Sequence, residues 1–120
     1  MVRCLIVDDS PSFLRAARSL LEQDGIVVDV AANSAEAIRR VEELQPDVTL
    51  VDIDLGGESG FELAARLRKD GLPRAGVILI STRSEEDYGD LIAASPACGF
   101  LTKTALSGSA IRRVIAADAG

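Results

Sequence analysis

Histidine is absent from the 120 residues of this chain. Its absence excludes a Ser–His or Cys–His nucleophile pair, a histidine-containing zinc site and a phosphohistidine intermediate, because each of these needs an imidazole ring. This one absence excludes more classes of function than any motif in the sequence.

Basic residues are in deficit, with 13 lysines and arginines against 19 aspartates and glutamates and a formal net charge of −6. Negative charge repels nucleic acid phosphates, so we expect no direct nucleic acid binding by this domain. Long apolar runs are also lacking, since stretches such as "GVILIS" are far shorter than a membrane span. With no charged leader before a long apolar stretch, we expect a soluble, cytoplasmic protein that does not enter membranes.

Cysteine is scarce, and Cys4 and Cys98 both lie in apolar stretches, where a thiol usually acts as a small hydrophobic side chain. We therefore expect no disulfide. Hydrophobic residues make up 48% of the chain and charged residues 27%, which is typical of a globular domain. A chain of this length forms one well-filled core, so we expect a single domain over residues 1–120.

The apolar pattern alternates between short continuous runs and helical spacing, which is typical of βα units around a parallel sheet. Right-handed crossovers between five such units predict an α/β, flavodoxin-like, three-layer sandwich with five helices and the strand order 2-1-3-4-5. In that order, the carboxyl ends of strands one and three flank the crevice where such sheets bind ligands. The predicted strands are "VRCLIV" from Val2, "IVVDVAA" from Ile26, "VTLVD" from Val48, "GVILIS" from Gly76 and "CGFLT" from Cys98.

The five predicted helices differ in how clearly the sequence marks them. The first follows a cap at Ser10 and a first-turn Pro11, and Gly25 closes it. The fourth, over about 84–95, is the weakest, because "SEEDYGD" is polar and contains a glycine, and we expect it to be mobile. The other three are a second helix capped by Ser34 and ending before Pro46, a third over about 61–69 stopped by Gly71 to Pro73, and a fifth whose apolar face comprises Leu106, Ala110, Ile111, Val114 and Ile115.

Polar side chains gather where the predicted strands end. Because these ends meet at one edge of a parallel sheet, three carboxylates, several hydroxyls and one ammonium should converge on one crevice. Three acids so placed repel one another, and a hard divalent cation with oxygen ligands removes the repulsion; Mg²⁺ fits best, since an open site leaves room for its waters. The converging residues are Asp8 and Asp9 after strand one, Asp52 on strand three, Ser81 and Thr82 on strand four, and Thr102 and Lys103 on strand five.

A lysine and a hydroxyl opposite a metal ion form a cradle for a phosphoryl group. Lys103 would neutralise the phosphoryl oxygens, and Ser81 would donate a hydrogen bond to one of them. Asp52 is the carboxylate positioned to act as the nucleophile, which would form an aspartyl phosphate.

The motifs "LIVDDS", "VDIDLGGESG", "VILIS" and "GFLTK" resemble those of the receiver domains of two-component response regulators, in order and spacing, over essentially the whole chain. The resemblance implies a phosphorelay signalling protein in which Asp52 accepts a phosphoryl group from a sensor histidine kinase, and not an enzyme that turns over a free substrate. It also implies that Asp9 binds Mg²⁺ directly beside Asp52, that Asp8 binds it through water, and that the main-chain carbonyl of Asp54 completes the protein ligands.

The same resemblance implies a conformational switch. Ser81 would move to a phosphoryl oxygen, Phe100 would turn inward with it, Lys103 would pair with the phosphoryl group, and the face of helix four, strand five and helix five would rearrange. The context "GFLTKT" is similar to that of receivers joined to helix-turn-helix transcriptional regulators, which implies a transcriptional output outside these residues. A downstream effector or output domain is thus an implied partner, and a homodimer that forms on phosphorylation is left open.

Two backbone positions depart from the family pattern. Thr104 stands where proline is common after the lysine, and because a cis bond before a non-proline residue costs roughly 3 to 4 kcal/mol, we expect a trans bond here. Gly56 replaces a proline and is followed by Gly57, so we expect a looser loop.

Two charged side chains also depart from the family pattern. Asp54 adds a fourth carboxylate near the crevice, and we expect Arg83, two residues after Ser81, to face it. We expect an Asp54–Arg83 pair that partly covers the phosphoryl site and alters the rate of dephosphorylation. We expect Thr82, next to Ser81, to modulate the phosphoryl site as well.

Two other functions stay open. A receiver-shaped binding module that works without phosphorylation agrees with Gly56, Asp54 and Thr104, and retained function in Asp52→Asn would favour it. The second open function is that of a small phosphatase similar to the haloacid dehalogenases, because Asp52 and Asp54 match the DxD motif of that family. Against it, the motif lies on the third strand and no acidic pair follows Lys103.

Overall fold

The computed structural model describes residues 2–69 and 76–119, in which five β-strands alternate with five α-helices. The strands are β1 (Arg3–Val7), β2 (Val27–Ala31), β3 (Val48–Asp52), β4 (Gly76–Ser81) and β5 (Gly99–Thr102). The α-helices are α1 (Pro11–Gln23), α2 (Ser34–Leu44), α3 (Gly60–Lys69), α4 (Gly89–Ala94) and α5 (Gly108–Ala119), and short 3₁₀ helices cover Glu85–Asp87 and Lys103–Ala105.

The strands form one parallel sheet with the order β2-β1-β3-β4-β5, which confirms the predicted topology. The register pairs Val7 of β1 with Val51 of β3, and Ser81 of β4 with Thr102 of β5. The carboxyl ends of these four strands therefore lie side by side at one edge of the sheet, where the residues that end or follow them meet.

Two hydrophobic clusters cover the two faces of the sheet. Successive side chains of a strand point to opposite faces, so Cys4 and Ile6 belong to one cluster and Leu5 and Val7 to the other. Helices α1 and α5 contribute to the first cluster, and α2 and α3 to the second. This arrangement confirms the three-layer sandwich. Within residues 2–69 and 76–119, no helix has both the length and the apolar character needed to cross a membrane.

The caps of α1 and α2 illustrate one correct prediction and one wrong one. Ser10 caps α1, since its side chain accepts a hydrogen bond from the Phe13 N–H at 3.3 Å. We expected Ser34 to cap α2, but Asn33 does so, with its side-chain oxygen accepting the Glu36 N–H at 2.9 Å. Asn33 has the extended backbone that a cap needs, whereas Ser34 is already the first helical residue.

The predicted fourth helix is interrupted. The Glu85–Asp87 turn ends at Tyr88, and α4 covers only the six residues Gly89–Ala94. Ser84 and Asp87 form a reciprocal capping box that closes the short turn. None of the residues in the turn or in α4 is buried, so little packing holds this segment in one continuous helix.

Helix α5 begins later than its apolar pattern indicates. Leu106 is buried with the first cluster, but its backbone is extended, and it lies between the Lys103–Ala105 turn and α5. The start of α5 is held by Asp24, whose Oδ2 accepts the Gly108 N–H at 2.8 Å. The predicted stop of α3 at Gly71 to Pro73 falls outside the described residues.

The two cysteines lie in different surroundings. Cys4 is buried in β1, and burial, followed by the negative charge of Asp29, raises the pKa of its thiol to about 12, which makes it unreactive at neutral pH. Cys98 is partly buried and lies one residue before β5, not within the strand as predicted.

Candidate functional site

Most of the predicted site residues line a cavity of about 310 Å³ at the carboxyl edge of the sheet, but Asp8 and Phe100 do not. Parallel strands bring their carboxyl ends to this edge, which is where open α/β sheets bind ligands. Two residues of its wall, Gly56 and Tyr88, were not among the predicted site residues. The lining residues are Asp9, Asp52, Asp54, Gly56, Ser81, Thr82, Arg83, Tyr88 and Lys103.

Three carboxylates form a cluster beside this cavity. One oxygen each from Asp8, Asp9 and Asp52 lies within 4.8 Å of the others. Asp8 is fully buried and Asp52 is 7% exposed, whereas Asp9 is exposed to solvent. Like charges at this separation repel strongly when two of the three are shielded from water.

Lys103 is the cation that contacts this cluster. Its Nζ atom lies 2.6 Å from Oδ2 of Asp8 and 3.1 Å from Oδ2 of Asp52. Burial lowers the pKa of Lys103, but hydrogen bonds to Asp8 and then Asp52 outweigh it, so its pKa is raised and the side chain stays charged. Nζ also lies 4.2 Å from the centroid of the Phe13 ring on α1.

Asp52 is the carboxylate most disturbed by this environment. Its pKa is raised to about 6: burial is the largest cause, hydrogen bonds from the Asp54 N–H (3.1 Å) and from Lys103 oppose it, and the charge of Asp8 acts in the same direction as burial. A buried carboxylate that opens onto a cavity and has a displaced pKa is a strong candidate for a reacting group.

The donor set fits a hard divalent cation. Ionised Asp8, Asp9 and Asp52 carry three negative charges, and Lys103 supplies one positive charge in contact with them. A divalent ion would balance the two remaining charges, and carboxylate oxygens are the ligands that Mg²⁺ prefers. The arrangement can therefore hold a metal ion and, beside it, an anion.

Ser81 ends β4 with its side chain directed into the site region, and only 4% of it is exposed. Its Oγ accepts the Arg83 N–H at 3.0 Å and donates to the hydroxyl of Tyr88 at 3.4 Å. Tyr88 was not predicted, because it lies in the polar run "SEEDYGD" with no periodic pattern around it. The one feature of the sequence that could have singled it out is that it is the only tyrosine of the chain.

Gly56 approaches Asp9 so closely that a side chain would not fit. A Cβ atom on Gly56 would overlap Oδ2 of Asp9, and the glycine has φ of +61°, followed by Gly57 at +106°. Proline cannot adopt this φ, so the loop after β3 follows a path that a family-typical proline would forbid. Whether this loop is looser stays a prediction.

The predicted modulating residues border the cavity without pairing. Asp54 and Arg83 are both exposed, and the described residues include no ion pair between them, so the expected contact is wrong for this conformation. The Asp54 carboxylate instead accepts the Gly56 N–H at 3.3 Å. Thr82 is exposed at the cavity wall.

Phe100 and Thr104 lie next to the site. Phe100 is half-buried in β5 and packs against the second hydrophobic cluster, so its inward turn stays a prediction. The structure contains no cis peptide bond within its described residues, so the bond between Lys103 and Thr104 is trans, as predicted.

Comparison with known proteins agrees with this geometry. Residues 4–115 match the family described as the response regulator receiver domain. The DNA-binding transcriptional activator EvgA of Escherichia coli strain K12 is 30% identical over 99% of this chain and 58% of its own length, so the chain spans less than two thirds of that relative. Protein PilH of Pseudomonas aeruginosa is 37% identical over 72% of each chain. The signal receiver domain of the putative response regulator NarL from Mycobacterium tuberculosis superposes with a TM-score of 0.81, at 29% identity over 99% of this chain and 97% of that one.

Proposed function

Because the chain belongs to the family of response regulator receiver domains, whose standard role is switching by phosphorylation, we propose that Asp52 is its phosphoacceptor. A partner histidine kinase would supply the phosphoryl group. In the transfer, an oxygen of Asp52 bonds to phosphorus, the bond from phosphorus to the kinase imidazole breaks, and the imidazole leaves with its electron pair. The product is an aspartyl phosphate and a free kinase histidine.

One observation carries this proposal more than any other. Asp52 is the carboxylate that is buried, contacts Lys103 at 3.1 Å and also lines the open cavity with Ser81. Asp8 is fully buried and does not line that cavity. Asp9 is exposed and belongs to the carboxylate cluster that would bind the metal ion. These differences support Asp52 as the nucleophile, with all three acids able to contribute to the metal site.

Receiver domains bind Mg²⁺ through acidic residues, and Asp8, Asp9, Asp52 and the main-chain carbonyl of Asp54 would hold it here. The ion, when bound, lowers the repulsion between the carboxylates and the incoming phosphoryl oxygens. Lys103 is already in contact with Asp52 and would neutralise a phosphoryl oxygen from the other side. Ser81 would donate its hydroxyl proton to a further oxygen.

The proposed switch follows from the added charge. A phosphoryl group brings about −1.5 to −2 charges and three acceptor oxygens to a cluster that holds one lysine. New bonds to Ser81 and Lys103 would pull the ends of β4 and β5 together, and Phe100 would turn inward. Helix α4 has no buried residue and would move first within the face of α4, β5 and α5.

The output of this switch is proposed from the relatives. EvgA is described as a DNA-binding transcriptional activator, and this chain covers only 58% of its length. We infer a transcriptional output outside the 120 residues, reached through a downstream effector or output domain. The signalling itself would take place in the cytoplasm, and phosphorylation would promote a homodimer.

Intact-mass spectrometry tests the central claim. The protein is incubated with Mg²⁺ and a small acyl phosphate, beside a chelator control, Asp52→Asn, and the matched variant Asp54→Asn, which removes a nearby exposed carboxylate. We expect one phosphoryl adduct that needs Mg²⁺, is absent from Asp52→Asn and persists in Asp54→Asn. An adduct in Asp52→Asn would overturn the assignment of Asp52, and no adduct from either the acyl phosphate or a phosphorylated kinase would favour the phosphorylation-independent module.

A further inference from the structure

Tyr88 links the hydroxyl of the site to the start of α4. Its phenol oxygen accepts the hydrogen bond from Ser81 Oγ at 3.4 Å. Its main-chain carbonyl accepts the N–H groups of Leu91 at 2.7 Å and Ile92 at 3.2 Å, which form the first turn of α4. One residue thus contacts the proposed phosphoryl site through its side chain and α4 through its backbone.

The ring of Tyr88 is anchored, although the residues around it are exposed. It packs edge-on against Phe61 of α3, with ring centroids 6.1 Å apart and an angle of 62° between the planes. Tyr88 is half-buried against the second hydrophobic cluster, whereas Ser84 to Asp87 and Gly89 to Leu91 are exposed. The hydroxyl is therefore held in place from the core side, although the neighbouring residues are exposed.

Ser81 has a single hydroxyl proton to give. Its Oγ already accepts the Arg83 N–H at 3.0 Å, and its own proton goes to Tyr88. A phosphoryl oxygen on Asp52 would need that same proton, so Tyr88 and the phosphoryl group compete for it. Phe100, the other aromatic side chain assigned to the switch, has no oxygen with which to compete.

We propose that Tyr88 is a positioning residue that retains the Ser81 hydroxyl in the resting protein and releases it, together with the start of α4, when Asp52 is phosphorylated. This inference rests on the proposed function of Asp52. Removing the competing acceptor should favour the phosphoryl-bound state, because an interaction made only in the resting state opposes the switch.

Tyr88→Phe tests the proposal with little structural change, since it removes the phenol oxygen and keeps the ring on Phe61. The readout is the affinity for beryllofluoride, a phosphoryl mimic, in the presence of Mg²⁺, followed by fluorine NMR of the bound species. We expect Tyr88→Phe to bind beryllofluoride about two- to five-fold more tightly than the parent, a small effect because the bond is long.

A double-mutant cycle separates this role from simple packing. In a Ser81→Ala background the proton is gone, so Tyr88→Phe should leave the affinity unchanged. Tyr88 is also the sole tyrosine of a chain without tryptophan, so the intrinsic fluorescence reports on this residue alone. We expect beryllofluoride to change that fluorescence in the parent and to change it less in Ser81→Ala.

Equal affinities of the parent and Tyr88→Phe, or the same tightening in the Ser81→Ala background, would overturn the role of Tyr88 while leaving Asp52 as phosphoacceptor. If the parent binds no beryllofluoride and Asp52 gains no adduct, the proposed function fails and this inference fails with it.

Discussion

The ammonium of Lys103 lies 4.2 Å from the centre of the Phe13 ring. Lys103 follows the end of β5 and contacts Asp52, so a residue of α1 helps to position this lysine. A cation over an aromatic face is stabilised by about 0.5 to 2 kcal/mol, and the stabilisation is larger when the pair is shielded from water. Both residues are partly buried. The ring thereby limits the positions that the ammonium can take.

Replacing Phe13 with leucine should lower both stability and reaction rate. We expect the free energy of unfolding to fall by about 1 to 2 kcal/mol, from lost ring packing and the lost cation contact. Phosphorylation of Asp52 should slow by about two- to ten-fold, because Lys103 is less well placed. Denaturant unfolding and adduct formation followed by mass measure the two effects. In a Lys103→Met background, Phe13→Leu should have no further effect on rate; an equal slowing there would disprove the coupling.

Asp52 should destabilise the metal-free protein at neutral pH. The pKa of its carboxyl is raised from 3.8 to about 6, so the folded state favours the protonated form. The stability that this preference contributes is present below about pH 4 and is lost as the pH rises through about 6. With chelator present, Asp52→Asn should therefore be up to about 3 kcal/mol more stable than the parent near pH 7, and the difference should largely vanish near pH 4.

Thermal unfolding of both proteins across this pH range measures the difference. Mg²⁺ binds the ionised carboxylates, so adding it should stabilise the parent more than Asp52→Asn at neutral pH. A difference between the two proteins that does not depend on pH would show that the charge of Asp52 is not its cause.

The two glycines after β3 offer a matched pair of substitutions. Gly56→Ala and Gly57→Ala both place a side chain at positive φ, and each should cost about 1 to 2 kcal/mol of stability. A Cβ on Gly56 would overlap Asp9, whereas a Cβ on Gly57 would meet nothing within 4 Å. Mg²⁺ affinity, measured by calorimetry, should therefore fall about ten-fold in Gly56→Ala only. Equal affinities in the two variants would mean that Gly56 does not shape the metal site.

Asp54 and Arg83 should both slow the loss of the phosphoryl group, even though they do not pair in this structure. Both are exposed at the cavity wall, where their side chains would limit the access of water to Asp52. We expect Asp54→Ala and Arg83→Ala to lose the adduct about two- to five-fold faster than the parent. The decay is followed by intact mass, with Glu86→Ala as an exposed acidic control outside this cavity. Unchanged decay in both variants would refute a role for these side chains.

The sheet and the carboxylate cluster could be predicted from the sequence because each depends on a local rule. Continuous apolar runs marked the strands, and the bounds of β3 and β4 agree with the structure at both ends. Once the strand order is known, residues at strand ends such as Asp8, Asp52 and Lys103 must meet. Their distances then follow from the fold without any knowledge of the loops.

The unpredicted features depend on loop paths and on contacts between distant segments. Tyr88 meets Ser81 because the turn after β4 folds back, and no periodicity marks such a turn. Asn33 caps α2 instead of Ser34, because Asn33 has an extended backbone whereas Ser34 is already helical. Leu106 is apolar and buried like a helical residue but lies outside α5, so the apolar pattern alone placed it wrongly in the helix.

Helix α4 has six residues and buries none of them, and Leu91 on it is 59% exposed. Substitutions at such positions usually change folding stability by less than about 0.5 kcal/mol. The face built around α4 can thus accumulate mutations that the two hydrophobic clusters and the carboxylate cluster cannot tolerate.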